Sequence, residues 1–101
     1  MYKLAISTSG EYVSAAIFEE KLLASFVSKT NKGSTGILLN QINELFDKTK
    51  ASRNDLNALY LDVGPGYYTG LRIGLSVSQG LGAVLGIPII PVNGLDALAF
   101  A

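Results

Sequence analysis

The run Gly64-Pro65-Gly66-Tyr67-Tyr68-Thr69-Gly70 is the stretch of this sequence whose residue types and spacing come closest to chemistry. It stands between an apolar run ending at Val63 and another beginning at Leu71, which is the order of strand, glycine turn and helix. Such a turn collects unpaired backbone N–H groups at a helix N-terminus, where the macrodipole favours an anion. Gly64, Gly66, Thr69 and Gly70 are therefore candidate anion-binding residues, with Arg72 beside them. A cation in the first helical turn opposes the dipole, so Arg72 calls for a carboxylate, a phosphate or a helix C-terminus as partner. Known nucleotide loops do not fit. A Walker A loop has Lys straight after its second fixed glycine, and Gly70 is followed by Leu71. The dinucleotide fingerprint G-x-G-x-x-G fails because position 69 is Thr. A tight turn built by Pro65 and the glycines for conformational reasons accounts for the same run equally well.

The rest of the composition removes other chemistries. Among 101 residues there is no His and no Cys, which excludes disulfides, zinc fingers, cysteine nucleophiles, histidine bases and histidine-ligated metals. Asp62 is then an isolated carboxylate expected to cap a strand end, so a metallopeptidase reading lacks ligands, and no metal and no cofactor are expected. Eight basic and eight acidic side chains cancel, leaving no basic stripe for direct contact with nucleic acid. From Val63 onward the only charged residues are Arg72 and Asp96, so this part is composed to be covered. Ile73 to Leu95 is charge-free, but Pro88, Pro91, Gln79, Asn93 and repeated glycines argue against a membrane span. The start shows no signal-peptide pattern, because Met1 to Ile6 runs at once into Ser7, Thr8, Ser9, Gly10 and Glu11. A cytoplasmic location is the expectation.

The elements that must position the loop follow from periodicity. Strands are expected at Lys3 to Thr8, Tyr12 to Phe18 and Leu22 to Lys29, joined by Ser9-Gly10-Glu11 and Glu19-Glu20-Lys21 as an antiparallel meander. Ser34 or Thr35 opens a helix to about Lys48, with Leu38, Leu39, Ile42, Leu45 and Phe46 at helical spacing. Ala58 to Val63 reads as a fourth strand and Leu71 to Leu85 as a second helix. Ile87 to Val92 is a strand that tolerates its two prolines if it starts late or lies on an edge, and Asn93 opens a last helix. Three meander strands followed by alternating helix and strand make an α/β layer of ribonuclease H-like order.

The second helix carries more information than the loop. Gly70, Gly74, Ser78, Gly82 and Gly86 recur every four residues as a ridge of small side chains. At 100° per residue, Ile73, Val77, Leu81 and Val84 form one apolar stripe, expected to face the sheet. Leu71, Leu75 and Leu85 lie on the other side of the ridge, which predicts close approach of another helix, from this chain or from a partner.

Leu4-Ala5-Ile6-Ser7-Thr8-Ser9, the run from Gly64 to Gly74, Gln79-Gly80-Leu81 and Pro88-Ile89-Ile90-Pro91-Val92 together resemble the N-terminal half of the TsaB (YeaZ) family. The resemblance spans essentially the whole chain, and it implies an actin-like, sugar-kinase-like domain over residues 1–101, truncated from a two-domain chain about twice as long. It further implies a non-catalytic subunit of the machinery that makes threonylcarbamoyladenosine in tRNA. Such a subunit pairs with the catalytic TsaD through its first two helices, is joined by the ATPase TsaE, and can self-associate as a homodimer. Contact with tRNA would then be indirect, through the complex. Carried onto this sequence, the partner interface falls on Leu38, Leu39, Ile42, Leu71, Arg72, Leu75, Ser78, Gln79 and Gly82.

Departures from the family pattern bear on catalysis. Ser7 stands where the family usually has Asp in an L-D-T-S opening, the carboxylate that phosphate-handling relatives use near a metal. Ser34 and Thr35 replace a His-Ser pair, and Tyr67 replaces a Ser that leaves room for an anion. These changes favour a scaffold over the alternative, a nucleotide- or phosphate-binding actin-like enzyme that would use the Gly64 to Gly70 loop.

Overall fold

A computed structural model of the chain describes residues 2–8, 12–29, 34–64 and 68–93. Strands β1 (Tyr2–Ser7), β2 (Tyr12–Phe18) and β3 (Leu22–Lys29) are followed by helix α1 (Ser34–Thr49). After α1 come a 3-10 turn (Arg53–Asp55), β4 (Leu56–Asp62), α2 (Tyr68–Leu85) and β5 (Ile89–Val92). The sheet order is β3-β2-β1-β4-β5, antiparallel across the meander and parallel for β1, β4 and β5. This is the α/β order expected from the sequence. The expected helix after Asn93 lies outside the described residues.

Alternation along the strands decides which face is covered. Leu4 and Ile6 on β1 are buried and pair in register with Leu59 and Leu61 on β4 and with Ile17 and Ala15 on β2. Against them lie Leu38, Ile42, Leu45 and Phe46 of α1, spaced for one helical face, and Val77 of α2. α1 packs over β2 and β3, α2 over β4, β1 and β5, and the two helices touch each other. Both crossovers run toward the β5 edge, and right-handed connections place both helices on one side of the sheet. On the opposite side, Phe18 and Tyr60 meet with ring centroids 5.8 Å apart, inclined by 40°.

α2 begins at Tyr68, three residues before the expected Leu71, and two strands start two residues away from the sequence reading for physical reasons. β4 begins earlier, at Leu56, because the Ser52 hydroxyl caps the short turn by accepting from Asn54 N and leaves Leu56 extended. β5 begins late, at Ile89, and forms the sheet edge, which is how it accommodates Pro88 and Pro91. α1 ends at Thr49, whose Oγ1 donates to Leu45 O at 2.8 Å, and Lys50 takes the left-handed conformation at φ 57°. Arg53 then clasps the end of α1. Its Nη2 donates to Asn43 Oδ1 at 2.7 Å, and its guanidinium lies 4.8 Å from the centroid of Phe46.

Candidate functional site

β1 and β4 are adjacent and parallel, so their C-terminal ends lie side by side, and this is where an open α/β sheet presents a crevice. Ser7 closes β1 and Asp62 closes β4. Ser7 Oγ donates to Asp62 Oδ2 at 2.8 Å, and Gly64 N donates to Asp62 Oδ1 at 2.9 Å. Gly64 has φ 102°, open to glycine and strained for other residues, so the turn out of β4 requires it. Val63 N donates to Val92 O at 2.9 Å and ties the same turn to β5. Asp62 thus caps the strand end, as its isolation in the sequence suggested, but its bond to a serine 55 residues away was not foreseen. The only sequence signal for that pairing is that both residues end apolar runs.

For phosphate or metal chemistry the described residues offer little. Gly66 lies outside them, and Thr69 and Gly70 belong to the first turn of α2 by backbone alone. Among the described residues no group of three His, Cys, Asp or Glu side chains could hold a metal ion. Ser7 and Asp62 supply one carboxylate and one hydroxyl, already bonded to each other.

The small-residue ridge of α2 faces a different neighbour from the one expected. A Cβ on Gly74 would collide with Thr8 Oγ1 and stand 3.2 Å from Leu61 Cδ1, and one on Gly82 would stand 3.2 Å from Ile89. Gly74, Ser78 and Gly82 therefore let α2 settle closely on its own sheet, and among the described residues no second helix fills that groove. The apolar stripes shift accordingly. Leu85 packs on the core, whereas Val84 is 84% exposed, because the buried face is centred on the glycine ridge and Val84 falls on its flank.

This orientation sorts the nine expected interface residues. Leu38, Ile42, Ser78 and Gly82 are buried within the chain and present no side chain to a partner. That part of the expectation is corrected: the helical spacing that singled them out is the spacing of the core face. Leu39 at 41%, Leu75 at 44%, and Arg72 and Gln79 are exposed, and Leu71 is half-buried. Sequence reasoning missed the exposed apolar residues Leu22, Leu23 and Val27 on the β3 edge, because the strand pattern looks the same whether its outer face is covered or open.

The family model described as "TsaD: tRNA N6-adenosine threonylcarbamoyltransferase" matches residues 22–101. Over 96 residues the chain is 34% identical to the "tRNA threonylcarbamoyladenosine biosynthesis protein TsaB" of Buchnera aphidicola subsp. Schizaphis graminum, covering 95% of this chain and 46% of that relative. The chain belongs to the TsaB/YeaZ branch of that family. The solved structure of YeaZ from Pseudomonas aeruginosa superimposes with a TM-score of 0.83 at 30% identity, over 91% of this chain and 42% of that one. RuvC from T. thermophilus, at 14% identity and TM-score 0.65 over 94% of this chain and 66% of its own, shares the ribonuclease H-like fold alone. This chain spans less than half the length of the TsaB and YeaZ proteins it matches. The family's actin-like, ribonuclease H-like architecture accounts for the sheet order.

Proposed function

We propose that this chain serves the formation of threonylcarbamoyladenosine in tRNA as a non-catalytic docking subunit, binding the catalytic TsaD through the outward faces of α1 and α2. TsaE joins the resulting complex, tRNA is reached only through it, and the work is cytoplasmic. The observation that carries the reading is the pair Leu39 and Leu75. Both are large aliphatic side chains, more than two-fifths exposed, on the two helices that cover one side of the sheet. Arg72 and Gln79 supply polar contacts around them. The family name supports the pathway, and the modest donor set at Ser7 and Asp62 supports a subunit without chemistry of its own.

Co-purification of this chain with TsaD from the same source, beside size-exclusion chromatography of the chain alone, tests the reading. A stable heteromeric complex is expected, with any homodimer of the free chain giving way to it. Recovery of the two proteins apart at micromolar concentration would overturn the proposal. The alternative, a nucleotide-binding enzyme using Gly64, Gly66, Thr69 and Gly70, predicts heat on titrating ATP and magnesium into the chain alone; the docking reading predicts none.

A further inference from the structure

We infer that the outer edge of β3 is a self-association surface, on which a second copy of this chain pairs antiparallel to form a weak two-fold dimer. β3 ends the sheet, so one row of its backbone N–H and C=O groups points away from β2, and among the described residues no strand pairs with that row. Large apolar side chains flank it: Leu22 is 65% exposed, Leu23 45% and Val27 67%. The ladder fixes their face. Leu22, Ser25 and Val27 stand opposite Phe18, Ala16 and Ser14 of β2, whereas the alternate residues Val13, Ala15 and Ile17 are buried in the core under the helices. Leu22 and Val27 therefore lie on the side of the sheet away from α1 and α2, and the register shift at Phe18 adds Leu23 beside Leu22. That shift sits at the turn end of the strand. From Ala24 to Lys29 the pairing with β2 is regular, and no charge or proline interrupts the sequence from Leu22 to Ser28.

Symmetry and charge select the occupant. Two sheets joined edge to edge with their helices on the same side are related by a two-fold axis normal to the sheet, which makes the two β3 strands antiparallel. The hydrogen-bonding row of an antiparallel edge is its own complement. An axis near Ser25 sets Leu22 and Leu23 of each copy beside Val27 of the other, all on one face. At each end, the turn between β2 and β3 of one copy then meets the far end of β3 in the other. The turn, Glu19-Glu20-Lys21, has two Glu against one Lys, and the far end carries Lys29, so unlike net charges meet twice. A parallel pair would bring turn to turn, and like charge to like. Growth stops at two copies, because the edge left open is β5, four residues long with Pro91, which has no N–H to donate. A strand of eight residues falls short of the roughly 20–30 residues a side of a stable complex, so pairing builds up only as the chain approaches millimolar concentration.

Edge pairing leaves the outward faces of α1 and α2 uncovered, so the inference goes beyond the docking proposal and is tested without TsaD. Sedimentation equilibrium of the 101-residue chain is followed from micromolar to millimolar concentration for the native protein, Ser25→Lys, Val27→Lys and Leu39→Glu/Leu75→Glu. The native chain and the helix variant are expected to approach a dimer with association constants within about twofold of each other. Ser25→Lys sets two like charges at the axis and is expected to lower the constant about fivefold or more. Val27→Lys, at a side chain exposed in the free chain, is expected to do the same and serves should Ser25→Lys fail to fold. Added salt is expected to weaken the native dimer by screening the unlike charges at its ends. A native chain that stays monomeric throughout, a dimer that both lysine variants retain, a dimer that Leu39→Glu/Leu75→Glu abolishes, or one that salt tightens would overturn the inference. Failure to bind TsaD leaves these readouts untouched, so the two proposals fail separately.

Discussion

Two single residues on the buried face of α2 show how closely the helix is fitted. Gly74 has no room for a methyl group, because the backbone there lies on Thr8 Oγ1. Gly74→Ala should therefore lower stability by about 1–3 kcal/mol despite the better helix propensity of alanine, and a thermal melt of the variant reads this directly. Ser78 is the opposite case. It is fully buried and its hydroxyl has no hydrogen-bond partner among the described residues, so Ser78→Ala removes an uncompensated polar group at little cost in packing. The expected gain is about 1 kcal/mol, or roughly 4–8 °C in the melting midpoint of a domain of this size. The sequence marked both positions as small, yet it could not say what they are small for. A glycine ridge has the same spacing whether it meets a partner helix or its own sheet, and only the register of α2 over β1 decides.

At the scale of elements, periodicity was a good guide and orientation a poor one. The five strands and two helices follow from alternation and helical spacing, since Leu4 and Ile6 or Leu38, Ile42 and Leu45 have one buried side each. The failures lie where two apolar faces compete. The spacing predicts Val84 on the sheet and Leu85 outside, and the structure exchanges them, because the buried face of α2 is centred on the ridge of Gly74, Ser78 and Gly82 rather than on either apolar stripe. Pro65, Gly66 and Tyr67 of the loop expected to bind an anion lie outside the described residues, while the pair Ser7 and Asp62 is invisible in the sequence because parallel pairing of β1 with β4 is a long-range event. The β3 edge carries its own consequence. Leu22, Leu23 and Val27 are exposed on an edge strand, and Lys21 and Lys29 flank the run without interrupting it. Val27→Lys should change the melting midpoint little and reduce light scattering of concentrated samples; an unchanged tendency to aggregate would show that the edge is not the cause.

For the whole molecule, Leu39, Leu75 and Val84 are exposed apolar side chains on the two helices, beside others on β3 and β5, and neutral overall charge gives no long-range attraction to nucleic acid. The proposed docking role has such a chain work through a protein partner. Calorimetric titration of TsaD with the native chain and with Leu39→Glu/Leu75→Glu is the most direct measurement of that claim. Both replaced side chains are exposed in the free chain, so its melting midpoint should stay near the native value while affinity for TsaD falls about thirtyfold or more. Native affinity in the doubly substituted chain would contradict the account.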